Sequence, residues 1–323
     1  MTAPLLAIED LRLEVRGPGR QTRPILRGVD LTISAGEAVG LVGESGSGKS
    51  MTARTVLRLT PDGSTVSGSV RFKGNDVLGM SRADVRRLRT HDVAMVFQDP
   101  RGTVNPVRTV GDFLLEGMLD RGLNREEATG TAIRILGEIG VDRPERRLAQ
   151  RPFELSGGLL QRVVIAAALA AEPELILADE PTTALDVTTQ EEVVAILDEA
   201  RRKRGLAMLL ISHDLELAAA VCDRIVVMYA GEVVEVLEAA RLQSGARHPY
   251  TVALMASRPG SVPPGQMLPT VPGRPQSAYD APAACVFSDR CASAQEVCLT
   301  VPAPWSHTPA GRCRCHFPRE VAT

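Results

Sequence analysis

The feature that most constrains this chain is a glycine-rich loop between a predicted strand and a predicted helix. The loop reads GESGSGKS and matches the pattern G-x-x-x-x-G-K-[ST] at each fixed position. Its residues are Gly43, Glu44, Ser45, Gly46, Ser47, Gly48, Lys49 and Ser50. The buried run Ala38–Val42 precedes the loop, and a helix pattern follows from Lys49 to about Leu59. Backbone N–H groups converge in such a loop, the lysine reaches the β- and γ-phosphates, and the serine hydroxyl binds Mg²⁺. The loop therefore predicts binding of a nucleoside triphosphate.

Composition and charge exclude several classes of protein. The chain has 323 residues, 44% of them hydrophobic, which is enough for one large domain or two unequal ones. Its net charge of -2 gives no indication of a nucleic-acid-binding surface. No run approaches about 18 uncharged apolar residues, and Glu9 and Asp10 interrupt the apolar start. We therefore expect neither a transmembrane helix nor a secretory signal, and we expect a cytoplasmic protein with reduced thiols.

Two parts of the chain differ in composition. Residues 1 to about 237 alternate apolar strand-like runs with helix patterns, as is typical of an α/β domain. The other strand-like runs are Ala94–Phe97, Leu175–Ala178, Ala207–Ile211 and Ile225–Met228. The other helix patterns are Arg125–Ile139, Gly157–Ala171 and Thr188–Arg204. Half of the 22 prolines and five of the six cysteines lie in 258–323. We predict a nucleotide-binding domain over 1–257 and a small, loop-rich tail over 258–323.

Two further motifs carry chemistry that suits a triphosphate. The strand-like run Leu175–Ala178 ends in Asp179 and Glu180, the Walker B pattern of phosphate-loop ATPases. Asp179 would hold Mg²⁺, and Glu180 would act as the general base toward the attacking water. The segment LSGGLLQ places Ser156 as the N-cap of an apolar helix. The glycines that follow it leave the first N–H groups of that helix approachable, which predicts a second anion site.

The order of these motifs resembles the ATP-binding cassette (ABC) ATPases over about residues 5–237. The resemblance implies an α/β phosphate-loop ATPase domain with a helical signature subdomain. In that family the LSGG signature contacts the ATP that is bound by a second ATPase domain. Residues that match its other motifs are Gln98 of the Q-loop, Ala184, Leu185 and Asp186 of the D-loop, and the switch histidine His213. Signature residues are Ser156, Gly157, Gly158 and Gln161. The resemblance assigns Mg²⁺ to Ser50, Gln98 and Asp179, and the γ-phosphate contact to His213.

One position departs from the family pattern. ABC ATPases usually stack an aromatic side chain on adenine from a position before the phosphate-binding loop. Val15 occupies that position, and residues 1–42 contain no Phe, Tyr or Trp. Stacking on adenine is therefore expected to be weaker, aliphatic or supplied from elsewhere.

The second half resembles the ATPases of dipeptide, oligopeptide and nickel importers. The segment His248-Pro249-Tyr250-Thr251 and the tail carry this resemblance, together with Asn105-Pro106. It implies an ATP-hydrolysing subunit at the cytoplasmic face of a bacterial membrane. Its partners would be a related second ATPase, two transmembrane permeases and an extracytoplasmic peptide-binding protein. Peptide and nickel both stay open as substrates. A soluble ABC ATPase without a transport role and a redox-regulated ATPase are the alternative classes.

The tail cysteines form a group that could hold a metal, although they include no C-x2-C pair, which counts against zinc. They are Cys285, Cys291, Cys298 and Cys315, with Cys313 as an alternative ligand. Four thiolates on a loop-rich segment suit an iron–sulfur cluster or a structural zinc ion. Some members of the importer family carry a [4Fe–4S] cluster on such cysteines, which favours the cluster. Zinc and unligated or disulfide-bonded thiols stay open.

Overall fold

A computed structural model of the chain describes residues 3–17, 21–183, 185–258, 262–263 and 267–320. The chain divides into two compact units. Unit one comprises residues 1–33, 38–78 and 212–323, and unit two comprises residues 34–37 and 79–211. The predicted D-loop residue Ala184 lies outside the described residues.

Twelve strands and twelve α-helices occur in these described ranges. The strands are β1 (Leu6–Arg16), β2 (Thr22–Ile33), β3 (Ala38–Val42), β4 (Thr65–Phe72), β5 (Asn75–Asp76), β6 (Val93–Val96), β7 (Leu175–Asp179), β8 (Ala207–Ser212), β9 (Arg224–Tyr229), β10 (Glu232–Glu238), β11 (Trp305–Thr308) and β12 (Gly311–Arg314). The helices are α1 (Lys49–Val56), α2 (Arg82–Arg87), α3 (Pro100–Thr103), α4 (Val110–Asp120), α5 (Arg125–Glu138), α6 (Pro144–Ala149), α7 (Gly157–Ala170), α8 (Val187–Arg204), α9 (Leu215–Val221), α10 (Leu242–Gly245), α11 (Pro249–Ala256) and α12 (Glu296–Thr300).

Unit one contains an antiparallel sheet in the order β2-β1-β4-β5. The central strand β1 buries Leu6, Ile8, Leu11 and Leu13. These residues do not follow strict alternation, because Ile8 and Leu11 are three positions apart. A bulge at Asp10, whose φ is 43°, takes up the extra residue. The bulge returns the apolar side chains to one face of the sheet.

The other strands of unit one carry the phosphate-binding loop and part of the tail. The fully buried strand β3 pairs in parallel with β9, and β9 forms an antiparallel hairpin with β10. The tail strand β12 then pairs antiparallel with β10, and β11 pairs with β12. The tail is also held by Arg27, whose guanidinium donates to the carbonyl oxygens of Ala281 and Pro282 at 3.1 and 3.0 Å. Residues of the tail are thus hydrogen-bonded into the sheet of unit one.

Unit two combines three parallel strands with a group of helices. The strands are ordered β6-β7-β8, and β7 and β8 are buried at every position. Helices α4, α5, α6 and α7 pack against one another, and they correspond to the predicted helical signature subdomain. Capping boxes start two of these helices, at Thr109 with Asp112 for α4 and at Asn124 with Glu127 for α5.

The predicted elements agree with the observed ones to within a residue or two, except for the first helix. That helix was expected to reach about Leu59, but α1 ends at Val56. The next residues turn away because Leu57 caps the helix and Arg58 adopts a left-handed φ of 52°. The boundaries of the compact units differ from those of the predicted domains, because residues after 257 belong to the same unit as the phosphate-binding loop. The boundary between 257 and 258 stays a prediction about the sequence.

Candidate functional site

The phosphate-binding loop wraps around the ammonium group of Lys49. This side chain is only 3% exposed, and its Nζ donates to the carbonyl oxygens of Gly43 at 2.7 Å and Glu44 at 3.0 Å. The N–H of Ser47 donates to the Glu44 carbonyl at 3.3 Å, and the N–H of Gly231 donates to the Ser47 carbonyl at 3.0 Å. Strand β3 delivers the loop and α1 begins at Lys49 itself. The loop therefore holds a positive charge at a helix N-terminus, which is an environment for phosphate.

Two loop glycines are required by their surroundings. Gly43 has a φ of 151°, and a Cβ there would lie 2.2 Å from the carbonyl oxygen of Met228. Gly48 caps α1 with a φ of 102°, and a Cβ there would lie 2.7 Å from Cδ2 of Leu26. A Cβ at Gly43 would require the backbone of β9 to move, and a Cβ at Gly48 would displace the Leu26 side chain and strain a left-handed backbone. The glycines of the motif are thus fixed by packing within unit one.

Glu44 has partners that the sequence did not reveal. Its carboxylate pairs with the guanidinium of Arg290, and its N–H donates to the hydroxyl of Tyr250 at 2.8 Å. Both partners come from the importer-like part of the sequence, from the HPYT segment and from the tail. The pairing joins residues 246 positions apart, so no local pattern announces it.

The two acids at the end of β7 occupy different environments in unit two. Asp179 is the last residue of β7 and is fully buried. Glu180 follows it with a left-handed φ of 46°, and its N–H donates to the Ile211 carbonyl at 3.1 Å. Its carboxylate oxygen Oε2 accepts from Nε2 of Gln98 at 2.9 Å and from Oγ1 of Thr183 at 3.1 Å. The structure thus brings the predicted Q-loop glutamine into contact with the predicted general base.

The signature motif starts a buried helix in unit two. Ser156 caps α7 by accepting from the N–H of Leu159 at 3.3 Å. Gly158 is required because a Cβ there would lie 2.7 Å from Cγ2 of Thr189. Gln161 is buried, and its Nε2 has no hydrogen-bond partner among the described residues. Gly157 and Gly158 are half-buried, so part of this helix N-terminus is accessible.

The two remaining predicted site residues, Asp186 and His213, lie at the N-termini of α8 and α9. Asp186 caps α8 and accepts from the N–H and the hydroxyl of Thr189 at 3.0 and 2.8 Å. These hydrogen bonds, the one from the Thr189 N–H first, lower the pKa of Asp186. His213 belongs to unit one, is exposed, and directly follows β8. Asp214, the next residue, caps α9, so His213 lies between the end of β8 and the start of α9.

The cross-strand neighbour of Val15, the predicted adenine contact, lies against an aromatic residue of the tail. Val15 is half-buried on β1 and is the cross-strand partner of Arg23 on β2. The guanidinium carbon of Arg23 lies 4.8 Å from the ring centroid of Tyr279. Tyr279 is 50% exposed. The region before the loop therefore has an aromatic side chain nearby, supplied from the tail rather than from residues 1–42.

Four tail cysteines line one cavity in unit one. They are Cys285, Cys291, Cys298 and Cys315, the set that the sequence singles out. The cavity is narrow and partly open to solvent. Phe287 and Phe317 contribute apolar walls, and Ser288 contributes a buried hydroxyl with no hydrogen-bond partner among the described residues. Within those residues, no group of three or more His, Cys, Asp or Glu side chains is arranged to hold a metal ion.

The thiols around this cavity are shielded from water. Burial raises the pKa of Cys285 and of Cys291, and it raises the pKa of Cys315 to about 11. His248 also lines the cavity, and complete burial lowers its pKa to about 3. Cys313 is fully buried on β12 opposite Glu235 and is not among the residues that line the cavity. The alternative ligand therefore does not line this cavity, although its thiol interacts electrostatically with that of Cys315.

Two family models match the chain. The model described as ABC transporter matches residues 26–183. The model described as oligopeptide/dipeptide transporter, C-terminal region, matches residues 234–298. The probable D,D-dipeptide transport ATP-binding protein DdpD of Escherichia coli (strain K12) is 42% identical over 327 residues, covering 99% of this chain and 98% of that protein. The oligopeptide transport ATP-binding protein OppD of Salmonella typhimurium is 37% identical, covering 97% and 93% respectively.

The chain belongs to the oligopeptide and dipeptide transport ATP-binding proteins of the ABC family. The resemblance inferred from the motifs is thereby confirmed.

Solved structures confirm the fold of this ABC family member. A dimeric post-hydrolysis state of the ATP-binding cassette MJ0796, bound to ADP and Pi, has a TM-score of 0.65 and 27% identity, and covers 72% of this chain. CbiO1 of Clostridium perfringens, described as part of the ABC transporter complex cbiONQ, has a TM-score of 0.64 and 26% identity. In the part of the chain that the structure describes, no helix is both long and apolar enough to span a bilayer.

Proposed function

We propose that this ABC family member binds and hydrolyses ATP to drive a bacterial importer of dipeptides or oligopeptides. The observation that carries the proposal is the full-length similarity to peptide transport ATP-binding proteins, together with a phosphate-binding loop folded around Lys49. The match to a transporter C-terminal region over residues 234–298 is not expected of a soluble ABC ATPase without a transport role. Nickel is the second candidate substrate, because the tail also resembles nickel importers.

The triphosphate is assigned to the loop over 43–50. Lys49 now donates to two loop carbonyls, so ATP binding requires its ammonium to exchange them for β- and γ-phosphate oxygens. Ser50, Gln98 and Asp179 are the proposed Mg²⁺ ligands, directly or through water. The position of Asp179 at the carboxyl end of the buried strand β7 supports this role, because carboxylate oxygens are ligands that Mg²⁺ takes in proteins.

Glu180 is the proposed general base, and His213 the proposed contact to the γ-phosphate. The hydrogen bond from Gln98 to the Glu180 carboxylate supports this assignment, since it joins a proposed Mg²⁺ ligand to the base. A group that senses the ion could in this way orient the carboxylate toward the attacking water.

A second ATPase chain completes the proposed site. Ser156, Gly157, Gly158 and Gln161 would contact the ATP of the partner chain, with Asp186 of the D-loop beside them. The accessible N-terminus of α7 supports this role, because its N–H groups favour a phosphate. The partner is proposed to be a related but different chain. Two membrane permeases and an extracytoplasmic peptide-binding protein would complete the importer, and this subunit would act at the cytoplasmic face of the membrane.

Two measurements test this function. Lys49→Ala should weaken binding of ATP with Mg²⁺ by at least about tenfold, because the only ammonium of the loop is lost. Equal affinity of the variant and the wild type for ATP would show that ATP does not bind at this loop. The tagged chain, expressed with the genes that neighbour its own, should co-purify with two multi-span membrane proteins. Recovery of an active ATPase without membrane partners would favour the soluble class instead.

We propose an iron–sulfur cluster, [4Fe–4S], on Cys285, Cys291, Cys298 and Cys315. All four cysteines line one partly apolar cavity, and the buried Ser288 hydroxyl beside them could donate to a cluster sulfide. The described positions of these side chains form no metal-binding group, so cluster binding would have to draw the four thiols together. The cluster would cross-link the loop-rich tail, which supplies few apolar side chains of its own.

The metal content of protein purified without oxygen tests the cluster. About four irons and four sulfides per chain, with broad absorption near 400 nm, are expected. One zinc per chain without colour would replace the cluster by a structural zinc site. Chains free of both metals would withdraw the proposal and leave the ATPase function intact. Rates of ATP hydrolysis with and without the cluster address the redox-regulated alternative.

Tyr279 is the proposed aromatic contact for adenine, together with Val15. Their common neighbour Arg23 and the exposed Tyr279 ring support this assignment. Tyr279→Ala should raise the Kd for ATP about three- to tenfold, whereas Tyr279→Phe should keep it, because stacking needs only the ring. Equal losses in both variants would exclude stacking.

A further inference from the structure

A buried arginine of the tail is hydrogen-bonded to the phosphate-binding loop. Arg290 ends the 3₁₀ turn Ser288–Arg290, and its side chain is 4% exposed. Its Nη1 and Nη2 atoms donate to the two carboxylate oxygens of Glu44, at 2.6 and 3.1 Å. Two parallel charge-assisted bonds of this kind fix both position and orientation. Glu44 is the second residue of the loop, so the tail holds the loop directly.

The guanidinium is itself anchored by residues outside the loop. Its Nε donates to the Pro272 carbonyl at 2.5 Å, and Nη1 also donates to the Tyr229 hydroxyl at 3.1 Å. The guanidinium carbon lies 5.6 Å from the centroid of the Tyr229 ring and 5.9 Å from that of Phe287. These contacts hold the Arg290 guanidinium in place, and the guanidinium in turn holds the Glu44 carboxylate.

Every polar group of Glu44 is used to hold the loop. The carboxylate takes Arg290, the N–H donates to the Tyr250 hydroxyl at 2.8 Å, and the carbonyl accepts from Nζ of Lys49 at 3.0 Å. Glu44 thus connects the tail arginine to the loop ammonium through its carboxylate and its carbonyl, and Tyr250 holds its N–H. Tyr250 packs against Tyr229 and Phe287 with ring centroids 4.7 and 5.3 Å apart, so the second contact is held by packed side chains as well.

Charge gives this arrangement a second role. A carboxylate within the phosphate-binding loop would repel a triphosphate unless its charge were compensated. Arg290 supplies that compensation, and its burial limits screening by solvent. Loss of the guanidinium would leave both a loosened loop and an unpaired negative charge beside the phosphates.

We propose that Arg290 is a positioning residue of the ATP site, which acts through Glu44 to set the loop and to neutralise its carboxylate. This inference rests on the proposed binding of ATP at the loop. It makes the tail part of the nucleotide site, and it assigns a role in ATP affinity to a residue that is not expected to touch ATP.

Binding of a non-hydrolysable ATP analogue with Mg²⁺ to the full chain tests the proposal. Arg290→Met should raise the Kd at least about tenfold. Glu44→Gln in the same chain should restore part of the affinity, because it removes the uncompensated charge. A purely structural arginine would not be rescued by a second loss of contacts. The matched control is Arg258→Met, which breaks an ion pair of equal length, 2.6 Å to Glu216, without touching the loop.

The outcomes separate this inference from the proposed function. A Kd for Arg290→Met within twofold of wild type, or no recovery in the double variant, overturns the positioning role. If Lys49→Ala still abolishes binding in that case, the proposed ATP site stands alone. A wild-type chain that does not bind the analogue refutes the proposed function itself. Should Arg290→Met fail to fold, Arg290→Lys takes its place, with an expected loss of about three- to tenfold that Glu44→Gln again reduces.

Discussion

Glu180→Gln is the substitution that separates ATP hydrolysis from ATP binding and from folding. Both observed hydrogen bonds to this carboxylate, from Gln98 at 2.9 Å and Thr183 at 3.1 Å, end on the same oxygen. A glutamine can keep its amide oxygen at that point, so both donors stay satisfied. The left-handed φ of 46° costs a similar amount for either side chain. We expect the free energy of unfolding to change by less than about 0.5 kcal/mol.

The effect on hydrolysis should be far larger. A positioned general base contributes about 10²–10⁴-fold, which corresponds to about 2.7–5.5 kcal/mol of activation free energy. The assay is phosphate release at saturating ATP and Mg²⁺, with Kd for ATP and urea unfolding measured on the same preparation. Glu172→Gln is a matched control, since Glu172 is exposed, lies in unit two and has a φ of 50°. This control should retain the rate of the wild type.

The reasoning is refuted if Glu180→Gln hydrolyses ATP within about threefold of the wild-type rate. It is also refuted if the lower rate is matched by an equal loss of ATP affinity. In that case the carboxylate would contribute to binding and not to the chemical step.

Two further predictions concern stability. Gly43→Ala should lower the free energy of unfolding by about 2–4 kcal/mol, because its Cβ would lie 2.2 Å from the Met228 carbonyl oxygen. Gly46→Ala has no atom within 4 Å of its Cβ and should lower it by only about 1–2 kcal/mol. Equal losses of stability in urea unfolding would argue against the clash. The hydroxyl and then the N–H of Thr109 lower the pKa of Asp112 from its ordinary 3.8, so its ionised form stabilises the fold above that pH and the contribution is lost as the pH falls through the lowered pKa. The stability difference between the wild type and Asp112→Asn should therefore shrink below about pH 4, and a difference that is constant from pH 7 to 3 would contradict this cause.

The buried strands and the loop motifs could be predicted because their signals are local. The continuous apolar run at Leu175–Ala178 has the pattern of a strand buried on both faces, and β7 follows it to Asp179. Ser156 was predicted to cap α7 and does so. The concentration of cysteines in the tail and the importer resemblance together pointed to Cys285, Cys291, Cys298 and Cys315. These four line one cavity, and their role as ligands stays a prediction.

The partners of Glu44 could not be predicted from one sequence. Arg290 is 246 residues away, and Tyr250 is 206 residues away, so only the fold brings them to the loop. The bulge at Asp10 and the early end of α1 at Val56 were missed for a related reason. A single left-handed residue decides each of them, and left-handed backbone at Asp10 or Arg58 has no strong sequence signal.

The discontinuity of unit one sets an order for its biosynthesis. Its segments 1–33 and 38–78 are made before the stretch 79–211, whereas Arg290 follows Glu44 only 246 residues later. At about 5–20 residues per second, the 246 positions between Glu44 and Arg290 correspond to about 12–50 s of translation. The contiguous stretch 79–211 of unit two has time to fold first. During that interval the nascent loop lacks its arginine, so nascent chains do not yet carry a finished nucleotide site.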